Sequence, residues 1–272
     1  MILLLAVLLS LAGCTNQGKD KKTEEKVSEK NTVVKVALTG EKSDVWEYVK
    51  EQVAKEGIDL ELMFFSDYII PNTALADGEV DINAFQTQIF FENYVKESGA
   101  DLSILGYTSL APMGIYEGKI SRVEDLQQGD KISIPNDVTN GGRALILLQA
   151  AGIIQVDPKA GLTPTLKDVI ENPLEIKIVE LAAPQIPTTL DEVALGVINN
   201  GIAVTAGYAP LEDAIFIENS ENEGIENYYN IIAVQTSRKE EEAIQKVLKA
   251  YQTDETKKII DETYNGSSIP VF

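Results

Sequence analysis

The sequence predicts an α/β protein, and three observations carry that expectation. From Val33 onward, short β-rich runs alternate with stretches whose apolar side chains recur at helical spacing. Residues 33–62 hold a complete strand, helix and strand, the unit whose crossover normally makes a parallel pair. Histidine is absent and cysteine occurs once in 272 residues, so disulfides within the chain and Cys-rich or His-ligated zinc sites are excluded.

The elements follow in chain order. Residues 33–38 (VVKVAL) read as a strand. Asp44 with Glu47 three residues on looks like a capping pair, after which Val45, Val49 and Val53 recur every fourth residue until Gly57 stops the helix. Residues 58–62 (IDLEL) alternate as a strand. The pattern continues with a helix over 90–97, strands over 102–105 and 131–134, a helix over 143–151, strands over 175–180 and 194–198, and helices over 239–251 and 254–264. Sheets of this kind bind ligands beyond the C-terminal ends of their strands.

Charge and motif content narrow the function. With 43 acidic and 23 basic side chains the net charge is −20, which opposes binding to phosphate backbones, so no nucleic-acid partner is expected. Without histidine there is no Ser-His-Asp or Cys-His nucleophile system and no imidazole proton shuttle. Walker A and six-residue glycine fingerprints are missing, and the glycine pair in Asn140-Gly141-Gly142-Arg143 lacks the P-loop lysine and spacing. No catalytic residue, metal site or cofactor is expected, and the chain does not read as an enzyme.

The first segment reads as an address. MILLLAVLLSL, over 1–11, has the length of a signal-peptide apolar region and is short for a membrane span. Leu11-Ala12-Gly13-Cys14 follows and resembles a bacterial lipobox, with the chain's sole cysteine at the acylation position. The alternative is a buried free cysteine in an N-terminal helix. No Lys or Arg precedes the apolar run, so a charged leader region would lie upstream of Met1 or have been trimmed. Residues 1–13 are thus expected to be a lipoprotein signal, and 14–31 a lipidated (palmitate-type) N-terminus with a polar, mixed-charge tether.

Aromatic, amide and guanidinium groups make up the remaining constellation. Phe64-Phe65-Ser66-Asp67-Tyr68 ends a strand, Asn83-Ala84-Phe85-Gln86 is placed in the next turn, and Phe90-Phe91 begins a helix. Arg143, placed at a helix N-terminus, adds a carboxylate-binding group where amides and dipole also favour anions. Each has an ordinary alternative: the aromatics as core, Arg143 as a surface ion-pair partner.

Three segments carry a more specific resemblance: 64–86 (FFSDYIIPNTALADGEVDINAFQ), 134–154 (IPNDVTNGGRALILLQAAGII) and 171–187 (ENPLEIKIVELAAPQIP). They are similar to NlpA-type methionine-binding lipoproteins, and the similarity runs from about Val33 to the C-terminus. The resemblance implies a periplasmic-binding-protein fold, with two α/β lobes joined by two crossovers and a ligand cleft between them. Lobe 1 would comprise 32–110 plus 232–272 and lobe 2 would comprise 111–231, with crossovers near Ala111 and Ile231. It implies a lipid-anchored protein on the extracytoplasmic face of a bacterial membrane that captures L-methionine and delivers it to the permease and ATPase subunits of an ABC importer.

Carried over residue by residue, the family's aromatic wall matches Phe65, Tyr68, Phe85 and Phe90, and its carboxylate-binding arginine matches Arg143, with Asn140 beside it. The asparagines that fix the amino acid's polar end match Asn199 and Asn230. Thr87 stands where the family commonly has histidine, and Phe90 where it usually has tyrosine. A methionine-containing dipeptide or another amino acid is the alternative ligand. A surface lipoprotein whose main work is binding another protein is the alternative role.

Overall fold

The structure, a computed structural model, describes residues 31–272. The expectations for the signal segment, Cys14 and the tether through residue 30 lie outside the described residues.

The chain opens with β1 (Thr32–Thr39), whose alternation sends Val34, Val36 and Leu38 to one face of a sheet and Ala37 to the other. Helix α1 (Asp44–Ala54) is capped by Ser43, whose hydroxyl accepts from the Trp46 amide at 3.3 Å, so Asp44 is the first helical residue and not the cap. Val45, Val49 and Val53 of α1 pack on the Val34–Val36–Leu38 face. Strand β2 (Ile58–Phe65) then pairs parallel with β1, from Thr32 against Ile58 to Thr39 against Phe65, as the strand–helix–strand pattern implies. Helix α2 (Ile70–Ala76) leads into β3 (Ile82–Thr87), parallel to β1 on its other side. Helix α3 (Gln88–Ser98) follows, and β4 (Leu102–Leu110) is the last strand before the chain crosses.

The second sheet begins with β5 (Gly114–Glu117) and β6 (Lys131–Pro135). Helix α4 (Val138–Ala150) packs Ala144, Leu145, Leu147 and Leu148 onto this sheet. A small ribbon of β7 (Gln155–Val156) and β8 (Val169–Glu171) precedes β9 (Lys177–Leu181) and β10 (Leu195–Ile198), both parallel to β6. Short helices α5 (Asn200–Thr205) and α6 (Pro210–Asp213) lead to β11 (Ala214–Ile217). The sheet order is β11-β5-β10-β6-β9.

The chain then returns. β12 (Tyr229–Gln235) inserts antiparallel between β3 and β4, helices α7 (Glu242–Tyr251) and α8 (Asp254–Tyr264) join α1 on its face, and β13 (Ile269–Pro270) closes the edge. The first sheet thus runs β13-β4-β12-β3-β1-β2, with α2 and α3 on its opposite face. The chain leaves the first sheet between Leu110 and Gly114 and returns between Ile217 and Tyr229. Ile231, near which the second crossover was expected, is fully buried inside β12, so that connection is 218–228. Among the described residues no helix is long and apolar enough to cross a membrane.

Candidate functional site

Parallel strands aim the chain that follows them toward one end of each sheet, and the candidate residues collect there. Beyond β2, the Asp67 carboxylate accepts from the amides of Ile69 at 2.7 Å and Ile70 at 2.9 Å, a turn that fixes Tyr68 ahead of α2. Phe85 lies inside β3, which corrects the turn expected over 83–86. Thr87 ends that strand and caps α3, its hydroxyl accepting from the Phe90 amide at 3.4 Å. Tyr68, Phe85 and Phe90 form a triangle with ring centroids 6.0, 6.1 and 6.3 Å apart. All three rings are partly buried, and none belongs to a buried core cluster. Phe65 differs: it packs against the core group of Ala37, Leu75 and Phe91.

Behind the triangle, Asn72, Asn83 and Gln86 make a buried amide network. Asn72 Nδ2 donates to Gln86 Oε1 at 2.7 Å, and Gln86 Nε2 donates to Asn72 Oδ1 at 2.7 Å and Asn83 Oδ1 at 2.9 Å. These bonds tie α2 to β3 and so hold Phe85 and Thr87 in place. Asn230 lies opposite Thr87 in the β3–β12 ladder, on the same side of the sheet.

The polar half comes from the second sheet. Asp137 caps α4, its Oδ1 accepting from the Asn140 amide at 2.9 Å, while both carboxylate oxygens accept from Asn140 Nδ2 at 3.0 Å. The helix therefore starts at Val138, and Arg143 lies in its second turn rather than at its N-terminus as expected. Gly141 and Gly142 serve close packing: a Cβ at the first would sit 2.9 Å from the Pro135 carbonyl oxygen, and at the second 2.7 Å from Thr163 Cα. Asn199, at the end of β10, donates to Asn140 Oδ1 at 2.7 Å, and its own Oδ1 is buried with no partner among the described residues. Asn140 and Arg143 are three apart and share a helix face.

Arg143 is 3% exposed and is a buried ion-pair partner. Its Nε donates to Glu218 Oε1 at 2.9 Å and its Nη2 to Glu218 Oε2 at 2.5 Å, with a further bond to the Ala111 carbonyl at 3.1 Å. The Tyr228 ring covers the guanidinium face at 4.3 Å. Burial pushes the Tyr228 phenol up to about 12, with Arg143 opposing and Glu218 adding to the rise, and its hydroxyl has no partner among the described residues. Burial also raises the Tyr68 phenol well above its usual range. Asp137 adds to that rise and Arg143 opposes it, so the aromatic triangle of the first sheet stands in the field of the second sheet's charges.

Glu218, Tyr228 and Asp137 were not legible as site residues. Glu218 sits in an acid-rich stretch, 212–226, where nothing distinguishes it from solvated neighbours. Asp137 had a signal, an acidic cap three residues before Asn140, which the glycine pair obscured. Among the described residues no group of three or more acidic, cysteine or histidine side chains could hold a metal ion. Two open surface hollows, of about 340 Å³ beside Gln149 and Glu171 and about 540 Å³ beside Arg122 and Phe216, lie away from these residues. The site comprises an aromatic triangle, an amide oxygen with no partner among the described residues and a buried guanidinium, group types that suit a small zwitterion with an apolar side chain.

Two sheets joined by two crossovers, with such a site at their strand ends, define a binding protein of the two-lobed substrate-binding class, and comparison with solved structures agrees. The structure of a nutrient binding protein from Burkholderia cenocepacia bound to methionine matches at 38% identity and TM-score 0.83, covering 88% of this chain and all of that one. The substrate binding protein of a methionine transporter from Streptococcus pneumoniae matches at 38% identity and TM-score 0.84, over 89% and 96%. A family model described as NlpA lipoprotein matches residues 34–272, and the chain belongs to that family. Among relatives, the D-methionine-binding lipoprotein MetQ of Escherichia coli K12 is 39% identical over 265 residues, covering 96% of this chain and 93% of the relative.

Proposed function

We propose that this chain is a lipid-anchored substrate-binding protein that captures methionine and delivers it to the permease and ATPase subunits of an ABC importer. The observation that carries the proposal is the pairing of the Tyr68–Phe85–Phe90 triangle with the Asn199 acceptor and Arg143 in a chain whose relatives are named for methionine binding. Methionine's thioether is apolar and polarisable and packs favourably against aromatic rings. Asn199 Oδ1 would accept from the α-ammonium, Arg143 Nη1 would meet the carboxylate, and Asn140 and Asn230 would complete the polar end. Thr87 and Phe90 would line the side-chain end, with Phe65 supporting the wall from the core side.

The units around the two sheets act as lobes, with 111–113 and 218–228 as the connections between them. Cys14 carries the anchor and places the body on the extracytoplasmic face, where the importer's membrane subunits receive ligand. Titration calorimetry of ligand-stripped protein with L-methionine, D-methionine, norleucine and glycyl-methionine tests the proposal. Saturable methionine binding supports it. Binding of none of these at about millimolar ligand, an energy near −4 kcal/mol, refutes the methionine assignment.

A further inference from the structure

Arg143 presents little of itself to a ligand. Glu218 closes the Nε–Nη2 edge, Ala111 takes the remaining Nη2 hydrogen, and Tyr228 covers one face. Nη1 alone makes no hydrogen bond among the described residues. Glu218 is held as firmly from behind: its amide donates to the Met113 carbonyl at 2.9 Å, and its Oε2 accepts from the Met113 amide at 3.3 Å. One carboxylate thus joins both connections between the sheets and the guanidinium of α4. The two side chains are 3% and 10% exposed, so their charges cancel where water screens little.

We infer that Glu218 is a specificity-determining residue: by occupying the bidentate edge of Arg143 and cancelling its charge, it makes the site select zwitterions with a free α-ammonium over carboxylates that lack one. The inference rests on the amino-acid reading above. A ligand carboxylate arriving at Nη1 meets a neutral pair, with the Asp137 carboxylate also in the site. Alone it would bring an uncompensated negative charge into a poorly screened place. A zwitterion carries its own compensation, and Asn199 Oδ1 is the buried acceptor that its ammonium would meet. With a neutral side chain at 218, Arg143 would be an uncompensated cation, and a simple carboxylate would bind.

Calorimetry with L-methionine and 4-(methylthio)butanoate, the same skeleton without the amino group, tests this. The parent protein should prefer methionine by about a hundredfold or more. Glu218→Gln, which keeps the side-chain length and one acceptor, should shrink that ratio by about tenfold or more as the deamino acid gains affinity. A ratio unchanged within about threefold in folded Glu218→Gln, or equal loss of both ligands, overturns the inference and leaves Glu218 a structural prop. A second measurement needs no variant: the parent should bind L-methionine amide, a cation, more tightly than the deamino anion, and the reverse order also overturns the inference. Failure of the parent to bind methionine itself is the separate outcome that removes the amino-acid reading, and this inference falls with it.

Discussion

Asn199 reaches from the end of β10 to donate to Asn140 Oδ1 at 2.7 Å, and the same side chain leaves its carbonyl oxygen buried with no partner among the described residues. Asn140 cannot relieve it, because its own amide hydrogens go to Asp137. A buried acceptor without a donor costs about 1–3 kcal/mol, so the protein is poised to gain from any donor that enters.

That relationship gives the first prediction. Asn199→Ala should weaken L-methionine binding roughly 10- to 100-fold, the worth of a hydrogen bond to a charged group. Ligand-free stability should fall by only about 1 kcal/mol, since the substitution removes the orphaned Asn199 oxygen but leaves Asn140 Oδ1 without its donor. Calorimetry and thermal melts measure the two effects separately. Affinity within about threefold of the parent would place the ammonium elsewhere.

The second prediction concerns the Arg143–Glu218 pair. Arg143→Met strands a nearly buried carboxylate and should destabilise the fold by about 3–5 kcal/mol in urea unfolding. Combining Arg143→Met with Glu218→Gln removes both charges and should recover much of that loss, a coupling that a double-mutant cycle measures. Arg143→Lys lacks the planar fork, so one ammonium cannot replace the bonds to Glu218 and Ala111 and also supply the ligand contact proposed for Nη1. Additive single and double variants would mean that the pair is not coupled.

What the sequence revealed was mainly local. The β1–α1–β2 unit and the bounds of α8 follow from apolar periodicity and stop signals that lie within a dozen residues of one another. Helix α2 escaped because it is seven residues long, carries Pro71 and Asn72 at its start and has no side-chain cap. Helix α4 was read five residues short because Gly141 and Gly142 look like a turn, although close approach to Pro135 and Thr163 is what requires them. The site divides in the same way. Tyr68, Phe85, Asn140 and Arg143 stand in the segments that carry the family resemblance, whereas Phe90, Asn199 and Asn230 lie outside them and Glu218 meets Arg143 only through folding, 75 residues along the chain.

The third prediction is alkaline. Burial raises the phenol pKa values of Tyr68, Tyr116 and Tyr251 above the usual range, and that of Tyr228 to about 12. A tyrosine whose folded pKa is raised stays protonated in the native state while the unfolded chain ionises. Its contribution is therefore intact below about pH 10 and is lost as pH rises toward the folded value. Urea midpoints should hold flat from about pH 8 to 9.5 and fall above pH 10, and Tyr228→Phe should make the fall shallower. An identical slope in that variant would remove Tyr228 from the account.

The last prediction separates two roles of Thr87. Its hydroxyl caps α3 through the amide of Phe90, a member of the aromatic triangle, and that contact with Phe90 puts it at the side-chain end of the proposed pocket. Thr87→Ala should cost about 1 kcal/mol of stability through the lost cap, with selectivity unchanged. Thr87→His should show a cap loss of similar size but also fill space beside Phe90. A pocket relying on shape separates ligands that differ by one methylene by only about 1–3 kcal/mol, so the parent should discriminate weakly among L-methionine, norleucine and glycyl-methionine. The imidazole should sharpen preference for L-methionine by roughly tenfold against both analogues, because it removes the volume that admits them and adds a polar edge beside the thioether. Panel calorimetry on the three proteins, with melts alongside, measures both effects. If neither alanine nor histidine shifts selectivity, Thr87 acts only through the helix cap and the pocket lies away from residue 87.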